Sequence, residues 1–174
     1  VDKRIDVLSA LMRKGGSIWD LTEMEHAYAP PYSSSKDPVN IAGFVAENLI
    51  SGLDRQAGWE DVQNNMSGSI FLLDVRMEKE LKGGIIPGSV NIPLDSLRER
   101  LEEIPKDRPV IVYCAVGLRG YLARRILVQH GFEDVRNLAG GYQTYETATM
   151  KQGNEDLFEK TCVGPDDMMY RCEV

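Results

Sequence analysis

The sharpest apolar pattern in the chain lies between Pro109 and Leu127. Val110, Ile111, Val112 and Tyr113 form a short unbroken run of the kind that makes a buried strand, and the run ends on Cys114. Gly117 lies in the turn that follows. From Arg119 onward, Leu122, Ala123, Ile126 and Leu127 fall on one helical face. The pattern predicts a strand, a tight loop and a helix, with a cysteine at the strand's end.

Similar signals flank this unit. Trp59 to Val62 reads as a short helical turn, Asn64, Asn65 and Gly68 break the chain, and Ile70 to Val75 reads as a strand. Leu94 to Ile104 reads as a helix led by Pro93. Its Leu97, Leu101 and Ile104 point inward, with Arg98, Glu99, Arg100, Glu102 and Glu103 on a solvated face. Val135 and Leu138 mark another strand, and Gly140-Gly141 turns the chain into a helix near Tyr142. Strands alternating with helices predict an α/β fold with a parallel sheet flanked by helices. Ligands in such folds bind beyond the carboxyl ends of the strands, where Cys114 stands.

The first 53 residues follow a different pattern. Ile5, Leu8, Leu11 and Met12 describe an amphipathic helix stopped by Gly15-Gly16, and Ala27 to Pro38 is an irregular stretch rich in proline and serine. Asp37 then caps a helix with Pro38 in its first turn, Ile41, Phe44, Val45 and Leu49 on one face, and Gly52 beyond its end. After Thr147 the composition turns polar with no sustained period. The expected organisation is a helical extension at 1–53, an α/β domain at 54–148 and a tail or linker at 149–174.

Composition narrows the function classes. A net charge of −7 over 174 residues argues against a nucleic-acid or anionic-membrane partner. No apolar run approaches the roughly 18 residues needed to span a bilayer, and the start shows no signal-peptide core, which reads as cytoplasmic. Cys114, Cys162 and Cys172 are odd in number and lack C-x-x-C spacing, so neither a disulfide framework nor a zinc site is expected. His26 has no metal-type partner, and His130 falls at a helix end. The expected metal site is none.

The loop's chemistry follows from its position. Amides of a tight loop and of a helix's first turn converge on the loop centre and stabilise negative charge there. A thiol in that setting becomes a nucleophilic thiolate, and Arg119 adds a fixed positive charge. The alternative is that Cys114 is a small buried hydrophobe.

Cys114-Ala115-Val116-Gly117-Leu118-Arg119 resembles the C-x-x-G-x-R active-site loop of the rhodanese family of sulfurtransferases. Three flanking segments strengthen the likeness. Phe71-Leu72-Leu73-Asp74-Val75-Arg76 resembles the family's D-V-R strand, and Gly84 to Pro93 its G-H-I-P-G-A-x-N-I-P segment. Leu138 to Tyr145 resembles its closing L-x-G-G-x-x-x-W. The resemblance implies a rhodanese-like fold and a persulfide on Cys114, bound by the amides of Ala115, Val116, Gly117, Leu118 and Arg119. The sulfur would come from a small sulfane donor and pass to a thiol acceptor. Asp74, Arg76 and Gly120 would be supporting residues. For Asp74 and Arg76 the readings are a substrate contact, or a carboxylate that receives loop amides and an arginine that pairs with a surface acid.

Ala27 to Asn48, with its A-Y-A-P-P, resembles the end of the dimerisation domain in pyridine nucleotide-disulfide oxidoreductases of the coenzyme A-disulfide reductase type, often fused to a rhodanese domain. This implies an intact homodimeric protein that carries FAD and binds NAD(P)H, with neither cofactor expected in this chain. Tyr28 matches a tyrosine that reaches the coenzyme A site in that family, and its alternative is packing on Trp19, Leu21 and Met24.

The chain departs from the rhodanese pattern in four places. Ile85 stands for histidine, Gly120 for serine, Tyr145 for tryptophan, and Ala115 brings no positive charge beside the nucleophile. Cysteine-dependent phosphatases and arsenate reductases space cysteine and arginine by five residues, whereas four separate Cys114 from Arg119. The other competitor is a catalytically silent rhodanese-like docking or regulatory module. A resolving role for Cys162 or Cys172 has no motif behind it.

Overall fold

A computed structural model describes residues 2–32, 35–65 and 68–159. The chain divides into two compact units, which meet in sequence at Gln56 and Ala57.

The first unit holds α1 (Asp2–Arg13), α2 (Ile18–Glu23) and α3 (Pro38–Ile50). Asp37 caps α3 by accepting from the Val39 amide at 3.1 Å, and Arg4 holds the same carboxylate at 2.9 Å. Asn40 donates to Leu21 O at 3.0 Å and Met24 O at 2.8 Å, closing the end of α2. The two helices touch at Gly43, where a Cβ would lie 2.9 Å from the Thr22 amide nitrogen. This close approach selects the buried face of α3 as Val39, Asn40 and Gly43. Of the apolar face read in the sequence, Ile41, Val45 and Leu49 are 48%, 40% and 39% exposed, and Phe44 is half-buried.

The second unit is built on a five-stranded sheet of order β1-β5-β4-β2-β3, formed by β1 (Gln56–Ala57), β2 (Phe71–Asp74), β3 (Val90–Asn91), β4 (Val110–Tyr113) and β5 (Val135–Leu138). The pairs β2 with β3, β2 with β4, and β4 with β5 are parallel, with Leu73 opposite Val112 and Val112 opposite Asn137. Central β4 is buried at all four positions, which explains its unbroken apolar run. Alternation assigns its side chains to two cores. Val110, Val112 and Cys114 pack with Ala123, Ile126 and Leu127 of α5 (Leu118–Gln129). Ile111 and Tyr113 pack with Val62 of α4 (Trp59–Gln63), and Tyr142 and Tyr145 of α6 (Gly141–Glu159) lie against that cluster. The sheet is thus flanked by helices, as the alternating pattern implies.

Three expectations change. Leu94 to Ile104 is two 3₁₀ segments, Leu94–Glu99 and Leu101–Glu103. Between Pro93 and Pro105 the chain only has to seat Leu97 and Ile104, and i to i+3 turns do so. Leu122 is 44% exposed, outside the buried stripe of α5. The polar stretch expected as tail from 149 continues α6 to Glu159, since no proline interrupts it there. Among the described residues, no helix is long and apolar enough to cross a membrane.

Candidate active site

Cys114 follows β4 and is buried. Alternation sends its side chain to the α5 side, and the chain then turns through Gly117, whose φ of 132° lies where side chains are strained. That turn aims the Gly117 amide at Cys114 Sγ, 3.1 Å away. Gly117 is also the residue from which α5 starts, and its carbonyl accepts from the Tyr121 amide at 2.9 Å. Behind the loop, the first amides of α6 hold its carbonyls: Tyr142 donates to Cys114 O at 2.8 Å and Gln143 to Ala115 O at 3.1 Å. The chain comes this close because residue 141 is glycine, where a Cβ would lie 2.8 Å from Ala115 O. With its carbonyls turned to α6, the loop keeps amide character on the side of the sulfur.

Arg119, expected as a bare positive charge, is paired. Its guanidinium makes two hydrogen bonds to Glu80, at 2.6 and 2.7 Å, with both side chains partly exposed. The hydrogen bond from Arg119 holds the Glu80 carboxyl down to about 2, and the same bond raises Arg119, helped by its attraction to Cys114. Glu80 lies in the 3₁₀ segment Glu78–Gly83.

Asp74 and Arg76 pair with each other rather than with a surface acid, at 2.7 Å, with both side chains buried. Asp74 also receives the Arg76 amide at 2.9 Å. Arg76 reaches Gly84 O at 2.9 Å and lies over the Tyr142 ring, 4.3 Å from its centroid. Burial works against the Arg76 charge, but Asp74 outweighs it and the group sits above its ordinary value. Burial pushes the Tyr113 phenol up to about 12, and its oxygen shares a 2.7 Å hydrogen bond with Ser89. Asp74, Arg76 and Tyr113 meet at the ends of β2 and β4, and Ser89 and Tyr142 join them through chain-distant contacts.

Gly120 lies within α5, against Asn137. Val116 and Leu118 form an exposed apolar rim at 58% and 70% exposure, while Ala115 is half-buried beneath them in the chain's turn. Ile85 is half-exposed, and Tyr145 lines a cavity of about 390 Å³ with Phe71 and Arg108, residues at the opposite ends of the strands from Cys114. His130 ends α5 with Nδ1 2.8 Å from Ile126 O. Tyr28 is 53% exposed. Cys162 and Cys172 lie outside the described residues. Among the described residues, no cluster of His, Cys, Asp or Glu is suited to a metal ion.

The family model for the rhodanese-like domain matches residues 58–148. The chain belongs to the rhodanese-like domain family. A sulfurtransferase of Allochromatium vinosum is 42% identical over 72 residues, 41% of this chain and 67% of that protein. The crystal structure of reduced Bacillus anthracis CoADR-RHD has a TM-score of 0.82 at 43% identity, covering 87% of this chain and 27% of that one. A NAD-dependent persulfide reductase from A. fulgidus has a TM-score of 0.72 at 42% identity, covering 83% of this chain and 25% of that one. The chain spans about a quarter of the length of these two solved proteins. The CoADR-RHD match covers more of the chain than the rhodanese-like segment, so both resemblances hold: a rhodanese-like domain, and a preceding part of CoADR type.

Proposed function

We propose that this rhodanese-like domain is a sulfurtransferase that forms a persulfide on Cys114 and passes the sulfur to a thiol acceptor. The observation that carries the reading is the Gly117 amide on Cys114 Sγ, in a loop whose carbonyls are drawn away by α6. The Cys114 thiolate attacks the outer sulfur of a sulfane donor such as thiosulfate or a polysulfide. A new S–S bond forms, the donor's S–S bond breaks, and sulfite or the shortened sulfide leaves with the electron pair. The acceptor thiolate then attacks the outer sulfur and Cys114 leaves as thiolate, so the cycle needs no external oxidant or reductant. The anion before and after each transfer is stabilised by the same amide. Ala115, Val116, Leu118 and Arg119 shape the loop. Asp74 and Arg76 brace it.

The likeness to CoADR-RHD and to a persulfide reductase supports a second level of the proposal. The chain is the C-terminal module of a dimeric coenzyme A-disulfide reductase-like oxidoreductase, whose other parts carry FAD and bind NAD(P)H. The test is an intact-mass spectrum of the purified chain before and after thiosulfate or polysulfide, then after a reducing thiol. One added sulfur atom that maps to Cys114, reverses with thiol and is missing in Cys114→Ser is the expected result. No gain from a folded chain with either donor overturns the reading and favours a silent module.

A further inference from the structure

Asn137 is an interior polar residue of the second unit that the sulfur chemistry above does not use. It stands on β5 opposite Val112 and is 4% exposed. Its Nδ2 donates to Gly117 O at 3.2 Å. A carbonyl can only accept, so this bond fixes which end of the amide faces the loop. The other end, Oδ1, is buried with no hydrogen-bond partner. It occupies the space above Gly120, where any Cβ would collide with it. A buried amide oxygen left unpaired destabilises the fold, and an apolar side chain here would avoid that cost.

What the arrangement secures is the position of Gly117. One peptide away from the carbonyl that Asn137 grips, the Gly117 amide points at Cys114 Sγ. At φ 132° Gly117 is in a region glycine enters without preferring it, and its carbonyl is held from two sides, by the Tyr121 amide of α5 at 2.9 Å and by Asn137 Nδ2 from β5. We infer that Asn137 is a positioning residue for the Cys114 thiolate, acting through Gly117, and that Gly120 lacks a side chain to make room for it. The inference rests on the proposed nucleophilic role of Cys114, but not on which group Cys114 attacks.

The test is alkylation of Cys114 by iodoacetamide, followed on the Cys114 peptide by mass spectrometry at pH 7 and at pH 10. A hydrogen bond to the sulfur anion matters where thiol and thiolate compete, and much less where the thiolate is already complete. Asn137→Ala is expected to lower the ratio of the pH 7 rate to the pH 10 rate by about tenfold. Gly120→Ala, whose methyl displaces Asn137 without changing it, is expected to do the same. Adding Gly120→Ala to Asn137→Ala is expected to change little more, since the two substitutions remove one interaction. A folded Asn137→Ala with an unchanged ratio overturns the inference. Should Asn137→Ala not fold, an unchanged ratio in Gly120→Ala overturns it alike. A lowered ratio in a chain that loads no sulfur supports the positioning role and overturns the sulfur-transfer reading alone.

Discussion

Two helices of almost equal length, α3 in the first unit and α5 in the second, carry apolar residues at the same helical spacing and meet different fates. In α5, Ala123, Ile126 and Leu127 are buried under the sheet. In α3, Ile41, Val45 and Leu49 stay exposed, while the buried side is built from Val39, Asn40 and Gly43. The sheet offers α5 a broad apolar floor. The short α2 comes so close to α3, with Leu21, Thr22 and the carbonyls at its end, that a glycine and an amide side chain fit there better than leucine does. Period shows which residues share a face; the partner decides which face is buried.

The largest effect that would sharpen this contrast is Leu127→Ala, expected to destabilise the second unit by about 3 kcal/mol in denaturant unfolding. A loss below about 1 kcal/mol would mean the α5 side repacks freely. Next, Asn40→Ala is expected to cost the first unit about 2 kcal/mol, since it strands Leu21 O and Met24 O at the end of α2. If Asn40→Ala proves neutral while Ile41→Ser is costly, the assignment of faces in α3 is reversed.

A smaller effect is tied to pH. Glu80 lies below its ordinary 4.5, at about 2, because of Arg119, so between those values the unfolded chain binds more protons than the folded one. The Glu80–Arg119 contribution is therefore full above about pH 4.5 and is lost as pH falls towards 2. Glu80→Gln should flatten that part of the profile in denaturant unfolding followed between pH 2 and 5, and an unchanged slope would show that another carboxylate takes its place beside Arg119. The smallest expected effect is that of Ile41→Ser in α3, within about 0.5 kcal/mol in this chain. A larger loss would show that its exposed face is covered in solution.

Much of the second unit was legible in the sequence because its strands are short, apolar and separated by glycine or proline. The Val110 to Tyr113 run, the turn at Gly117 and the helix that follows lie where the pattern puts them. Gln56–Ala57 and Val90–Asn91 were not legible as strands, since two residues carry no period. At the site, Cys114 and its loop stand on local spacing. Glu80 and Asn137 do not: their roles depend on partners 39 and 20 residues away. For Arg76 neither a substrate contact nor a surface acid points to Asp74, because spacing alone cannot tell a buried carboxylate two residues back from a surface acid.

The first amides of α6 close the Cys114 loop only late in the making of the chain. A ribosome delivers Cys114, Gly117 and Arg119 before it delivers Gly141, Tyr142 and Gln143, whose amides hold the Cys114 and Ala115 carbonyls. Until those residues emerge, the complete C-x-x-G-x-R run is present but its carbonyls have no partners from α6. The nascent chain thus carries Cys114 some time before it carries the amides that hold its loop, and the motif is completed from its C-terminal side.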